Sequence, residues 1–460
     1  MDEMKKKLFY QPKNGYDRLD TAERIACEDY CGGYMAYLNT ARTEREAVSE
    51  AVRLAERAGF VNAGDALAPL KPGEKVYFNN RGKALLLAVG GQKPMSEGCV
   101  IAAAHVDAPR LDLKQRPVFE DSELCYFRTH YYGGIKKYQW TAIPLELHGV
   151  VSLKDGGTVN IVIGREPGDP RFVITDLLPH LGKDQMAKTL AEGVDGERLC
   201  LVVGSTPYNG EGTDRVKLAV LSLLNDSYGI CEEDFISAEL EAVPAFDVCE
   251  LGVDRSLIGG YGQDDRVCAY AELKALLELD TPERTAVCIL ADKEEIGSMG
   301  VSGMQSAAFE WFMQRLCGGA DAMTECFSKS FCVSADVTAA FDPMFAEVSE
   351  KQNDARVNYG VGFCKYTGAR GKSGASDASA EVVGKLRRLC DEAGVIWQMC
   401  AMGKVDQGGG GTVALYMANR NIDTIDAGVP VLSMHAPFET TSKLDCYMTY
   451  KAMKAAYAAG

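Results

Sequence analysis

The chain is expected to be a mixed α/β protein with a mainly parallel central sheet flanked by helices and a β-rich insertion. Three observations point there. Short apolar, β-prone runs such as CVIAAA, AVCILA, FCVSA and VPVLSM recur through the chain, and stretches of helical spacing lie among them. Side chains able to bind a divalent cation stand just past these runs: His105 and Asp107, Glu294 and Glu295, Asp336, and His435, with Asp264 in GQDDR. In open α/β sheets, ligands collect at the carboxyl ends of parallel strands, so residues distant in sequence meet on one edge. Finally, the texture between about Gln115 and Ala245 switches to an alternation of aromatic or β-branched with polar residues.

Taken in order, Thr21 to about Gly59 carries alanine, leucine and charged residues at helical spacing. Strands are expected at Lys75 to Phe78, Ala84 to Val89 and Cys99 to Ala104. The segment VFEDSELCYFRTHYYGGIKKYQWTAIPLELHGVVSLKDGGTVNIVIG contains a DGG turn and reads as β-hairpins. Near Phe246 the α/β rhythm resumes, with DRVCAYAELKALLEL as a helix, AVCILA as a strand, and helices and strands to the C-terminus. The expected organisation is a discontinuous domain, 1–114 and 246–460, interrupted by an inserted β-rich domain, 115–245. A chain of 460 residues has room for two such domains.

Composition narrows the function. Lys+Arg of 49 against Asp+Glu of 65 gives a net charge of −16, which disfavours nucleic acid and anionic membranes as partners. The N-terminus MDEMKKKLFYQPKNGYD lacks an apolar core segment, and no run of about 18 apolar residues occurs. The 16 cysteines include no CxxC pair and read as reduced, mostly buried thiols, so the cytoplasm is the expected location.

Two imidazoles with several carboxylates and no cysteine suit hard or borderline divalent ions. One acidic bridge plus one His and one carboxylate per ion consumes His105, Asp264, Glu295, Asp336 and His435. Glu294 is left as a general base beside a two-metal centre, which favours hydrolysis over redox chemistry. Singly, an HxD pair is an ordinary turn, an EE pair a solvated face and a DDR triplet a capped helix start. Their joint placement after apolar runs, in a chain of five histidines, outweighs those readings.

HVDAPRLDLK, GQDDRVCAYAEL, DKEEIGS, SADVTAAFDP and SMHAPFET, in this order, resemble the M18 zinc aminopeptidases of the MH clan, the aspartyl aminopeptidase and aminopeptidase I group. THYYGGIKKYQW and DQGGGGT resemble its bacterial branch. The resemblance spans about Asp17 to Tyr447 and implies a zinc exopeptidase type of fold. It implies two Zn²⁺ per subunit, replaceable by Co²⁺ or Mn²⁺: one held by His105 and Asp336, the other by Glu295 and His435, with Asp264 bridging. Glu294 takes the general base's place, and Asp107 becomes a carboxylate that orients the His105 ring without being a ligand. A tight backbone is expected around Asp264, Asp265 and Arg266.

The same resemblance implies that 115–245 is a dimerisation and lid domain contributing His180 to the partner's active site, that Lys365 approaches the substrate, and that homodimers assemble into a homododecamer. Short peptides are the implied substrates. Gly408 to Gly411 lack the GxxxxGK[ST] pattern and read as close backbone approach to a peptide rather than a phosphate loop. Acid-specific members carry a histidine three positions after the metal-binding aspartate and a tyrosine seven after the lysine; here Ala339 and Lys372 stand instead. Since a buried carboxylate needs partners, the expectation is a preference for neutral, apolar N-terminal residues. The alternatives are an acid-specific aspartyl aminopeptidase, an M42- or M20-type amidohydrolase, kept open by the DDR triplet, and a non-catalytic assembly or cargo protein.

Overall fold

A computed structural model describes residues 2–459, and contacts divide them into two compact units. The first comprises residues up to Asp107, Val248–Met434 and the stretch from Glu439; the second comprises Ala108–Asp247 and His435–Phe438.

The first unit is built on a nine-stranded sheet. Its spatial order is Val61–Asn62, Lys75–Asn80, Ala84–Val89, Ala286–Ala291, Val100–His105, Phe331–Ser334, Asp423–Gly428, Val361–Cys364 and Trp397–Cys400. The four strands from Ala286–Ala291 to Asp423–Gly428 are mutually parallel. Ala84–Val89, Val100–His105, Ala286–Ala291 and Phe331–Ser334 are buried at every residue, as expected of strands covered on both faces. Antiparallel pairs enter where Ala84–Val89 meets Ala286–Ala291 and where Val361–Cys364 meets Asp423–Gly428.

The helical N-terminal stretch is two helices, Thr21–Thr40 and Glu44–Arg57, because Thr43 starts the second with a reciprocal cap. Its hydroxyl accepts the Glu46 N–H at 3.3 Å while the Glu46 carboxylate accepts the Thr43 N–H at 3.1 Å. These helices, Gln263–Leu277 and Lys443–Ala458 share one core with the sheet, including Tyr34, Tyr37, Leu273 and Met448. A five-stranded sheet, Cys249–Leu251, Leu257–Gly260, Glu439–Ser442, Pro430–Leu432 and Thr338–Ala339, completes the unit.

The second unit is a six-stranded, wholly antiparallel sheet: Thr158–Ile163, Leu145–Ser152, Ala238–Pro244, Arg110–Asp121, Leu124–Tyr132 and Cys200–Gly204. Its strands show the half-buried alternation read from the sequence, clearest in Leu124–Tyr132, where Cys125, Phe127 and Thr129 face inward. All sixteen cysteines are free thiols. No helix among the described residues is long and apolar enough to cross a membrane.

Candidate metal centre

Four of the expected residues lie on one edge of the central sheet. His105 ends the strand Val100–His105 and pairs with Ala291, the last residue of Ala286–Ala291. Glu294 and Glu295 occupy the short turn that follows that neighbour, and Asp336 lies two residues beyond Phe331–Ser334, whose Ser334 pairs with Ala103. Asp264 arrives differently. It opens the helix Gln263–Leu277 after Leu257–Gly260, a strand of the five-stranded sheet, and the Asp264–Asp265 peptide is cis. His435 follows Pro430–Leu432, another strand of that sheet, and belongs to the segment grouped with the second unit. Its backbone is left-handed, with φ 63°, and its Nδ1 lies 2.9 Å from the Gly134 carbonyl oxygen. The expectation of one parallel-sheet edge therefore fails for Asp264 and His435. An apolar run specifies a buried strand but not the sheet that receives it.

The His105 ring is 2% exposed, and its two nitrogens face different partners. Nε2 lies 3.1 Å from Asp264 Oδ1 and 3.9 Å from Glu294 Oε2. Nδ1 lies 3.3 Å from Asp107 Oδ1 and 3.1 Å from the Asp107 carbonyl oxygen. His105, Asp264 and Asp336 each offer one donor atom, all within 4.8 Å of one another. Asp107 has a further task that its spacing from His105 does not reveal. Its Oδ1 accepts the Glu294 N–H at 3.1 Å and its Oδ2 the Glu295 N–H at 3.2 Å, so one fully buried carboxylate holds both the imidazole and the glutamate turn.

The sequence reading named Asp265 and Arg266 for their backbone alone, and it missed the bonds their side chains make and the part played by Glu439. Asp265 Oδ2 accepts the His105 N–H at 3.3 Å, and the Arg266 Nε–H donates to the Val106 carbonyl at 3.0 Å. Glu439 Oε2 accepts the Asp264 N–H at 3.1 Å. Glu439 follows His435 by four residues within SMHAPFET, and its place in a polar ETTS strand was the available signal.

Electrostatics show what the cluster requires. Burial drives the Asp336 carboxyl well above the usual carboxylate range, the neighbouring Asp265 adds to this, and His105 opposes it. Burial raises Asp265 likewise. Burial disfavours a charged His105 ring, but hydrogen bonds to Asp107 and Asp264 prevail and lift its pKa well above the ordinary value. Several buried carboxylates around one imidazole are an excess of negative charge that a divalent cation relieves. Oxygen and imidazole donors without thiolate fit zinc or a similar ion.

His180 is exposed in the second unit, next to exposed Leu177, Leu178 and Leu181. Lys365 follows Val361–Cys364, and its Nζ lies 2.5 Å from Asp377 Oδ1. The Lys372 Nζ reaches the same carboxylate at 3.1 and 3.2 Å. Hydrogen bonds from Lys365 and then Lys372 hold the Asp377 pKa below its ordinary value. In the glycine-rich run the Gly410 N–H donates to the Thr367 carbonyl at 2.8 Å. A Cβ on Gly409, whose φ is +122°, would lie 2.4 Å from the Ala369 Cα, so the close approach that demands glycine is to the chain's own backbone.

This fold and this oxygen–imidazole cluster define a metallohydrolase. The family model of the aminopeptidase I zinc metalloproteases (M18) matches residues 37–457, and the chain belongs to the M18 aminopeptidases, hydrolases that act on N-terminal residues. A probable M18 family aminopeptidase 1 of Clostridium acetobutylicum is 45% identical over 451 residues, 96% of this chain and 97% of its own. The crystal structure of an M18 aminopeptidase from Thermotoga maritima matches with a TM-score of 0.93 at 44% identity, covering 98% of this chain and 99% of that one. The S. cerevisiae mApe1 dodecamer shares the fold at 19% identity, with a TM-score of 0.75 over 93% of this chain and 96% of that one.

Proposed function

We propose that the chain is a dinuclear zinc aminopeptidase that removes the first residue of short peptides and prefers neutral, apolar residues there over acidic ones. The observation that carries this reading is the convergence of His105, Asp264 and Asp336 donors with Glu294 Oε2 3.9 Å from the same imidazole nitrogen. His105 and Asp336 would hold one ion and Glu295 and His435 the other, with Asp264 shared between them. Bound there, the ions lower the pKa of water and polarise the scissile carbonyl. Glu294 takes the proton of the attacking water and returns it to the leaving amine. Asp107 keeps the His105 Nε2 facing the ligands by occupying Nδ1.

In the same proposal, 115–245 serves dimerisation and covers the active site, His180 reaches the substrate of a partner subunit, and homodimers assemble into a homododecamer in the cytoplasm. Peptides short enough to enter such a shell are the substrates. The Lys365 and Lys372 ammonium groups are already engaged by Asp377, which argues against their holding an acidic substrate side chain. The test is kcat/KM for Leu-, Met-, Asp- and Glu-initiated peptides at one pH with saturating zinc, cobalt or manganese. Leu and Met peptides are expected to lead. An advantage of about tenfold for Asp or Glu, roughly 1.4 kcal/mol in the transition state, restores the acid-specific reading, and turnover of N-acylated substrates alone an M20-type one.

A further inference from the structure

We propose that Asp292 and Ser302 form a positioning pair that fixes the loop carrying Glu294 and Glu295, and that the rate of the reaction depends on it. The loop leaves the end of Ala286–Ala291 and returns at Ser302, and its two ends are clamped together. The Ser302 hydroxyl donates to Asp292 Oδ2 at 2.5 Å, and the Asp292 N–H donates to the Ser302 carbonyl at 3.3 Å. Asp292 Oδ1 accepts the Lys293 N–H at 2.8 Å. Asp292 and Ser302 are 2% and 3% exposed, so these bonds are shielded from water.

Two features make the clamp matter. Between the clamped ends the apolar side chains Ile296, Met299 and Val301 are 47%, 63% and 57% exposed, so no apolar side chain anchors the loop in the core. The backbone is left-handed at Lys293, φ 66°, and at Ser298, φ 57°, conformations that persist only where surrounding bonds over-determine them. Asp107 holds the tip through the Glu294 and Glu295 N–H groups, and Asn80 Nδ2 holds the return strand through the Val301 carbonyl at 2.9 Å. Asp292 and Ser302 close the neck. His105, Asp264 and Asp336 stand on other elements, so a loosened neck displaces Glu294 and Glu295 together relative to those three side chains, and saturating zinc separates lost metal from a misplaced base.

The inference rests on the general-base role of Glu294, which Glu294→Gln tests separately by losing turnover while keeping its metal. Ser302→Ala, Asp292→Asn and the double variant are compared with wild type at saturating zinc, with activity normalised to the folded fraction measured by circular dichroism. The expected result is a fall in kcat of about tenfold or more with KM within about twofold, because positioning acts on the chemical step. The double variant is expected to be no slower than the slower single one. Ser302→Ala removes a single oxygen and serves as the mild arm if Asp292→Asn does not fold. Three results overturn the proposal: kcat per folded molecule within about twofold of wild type, a loss carried by KM with kcat unchanged, or losses that add in the double variant.

Discussion

Glu294 and Glu295 are adjacent in one short turn, and Asp107 receives the N–H of each through a different oxygen. Their assigned tasks nevertheless separate under substitution. Glu294→Gln is expected to abolish turnover while metal content stays at the wild-type level, whereas Glu295→Gln is expected to lose metal. Elemental analysis of the purified variants checks this, and the opposite pattern reverses the assignment. Another residue-scale prediction concerns Asp426, on the central strand Asp423–Gly428. Burial pushes its carboxyl up to about 6 from 3.8, against hydrogen bonds from Ser334 and Thr412. A carboxyl raised on folding contributes stability that is complete below about pH 4 and lost as the pH rises through about 6. Asp292, raised to about 6, and Asp445, raised to about 8, add losses of their own over this range. The stability of wild type relative to Asp426→Asn, read by urea unfolding from pH 4 to 7.5, should therefore fall by at most roughly 3 kcal/mol.

Among elements, the strands behind the candidate ligands were legible as apolar runs because both their faces are covered. Less was legible wherever the information lay in pairing. VPVLS before His435 reads as a strand like the others, yet it pairs in the five-stranded sheet, as does LIGG before Asp264, since apolar sequence says nothing of the neighbour's identity. Asp292 and Ser302 were invisible for a related reason: a carboxylate and a hydroxyl ten positions apart in a glycine-containing loop follow no period. Gly428 shows how tightly the elements meet at the site. A Cβ there would lie 1.9 Å from the Asp336 carbonyl oxygen, so the strand and the ligand-bearing segment cannot both stay in place. Gly428→Ala should lower unfolding stability by roughly 3 kcal/mol and weaken zinc retention. Denaturant melts and competition with a chelator dye read the two effects, and a variant matching wild type in both refutes the packing argument.

Across the whole molecule, the β-rich stretch read from 115–245 and the second compact unit, Ala108–Asp247 with His435–Phe438, differ at their edges. The added tetrapeptide could not be assigned from sequence, because His435 is surrounded in the chain by first-unit residues. The shared-site reading is tested by mixing. An inactive Glu294→Gln subunit and an inactive His180→Ala subunit are expected to recover activity after exchange, since a hybrid holds a site with both residues intact. No recovery despite exchange verified by mass spectrometry, or an active monomer in light scattering, counts against it. Chelation should abolish turnover of the intact enzyme, and zinc should restore it.

Asp107 holds the imidazole on one side and the glutamate turn on the other with a single pair of oxygens. If His105 holds an ion and Glu294 moves the proton, as proposed, a shift of the His105 ring passes through Asp107 to the backbone of Glu294, and ion choice and catalytic rate are expected to change together. Directed evolution toward a different metal should find its compensating substitutions around Asp107 before it finds them among the ligands.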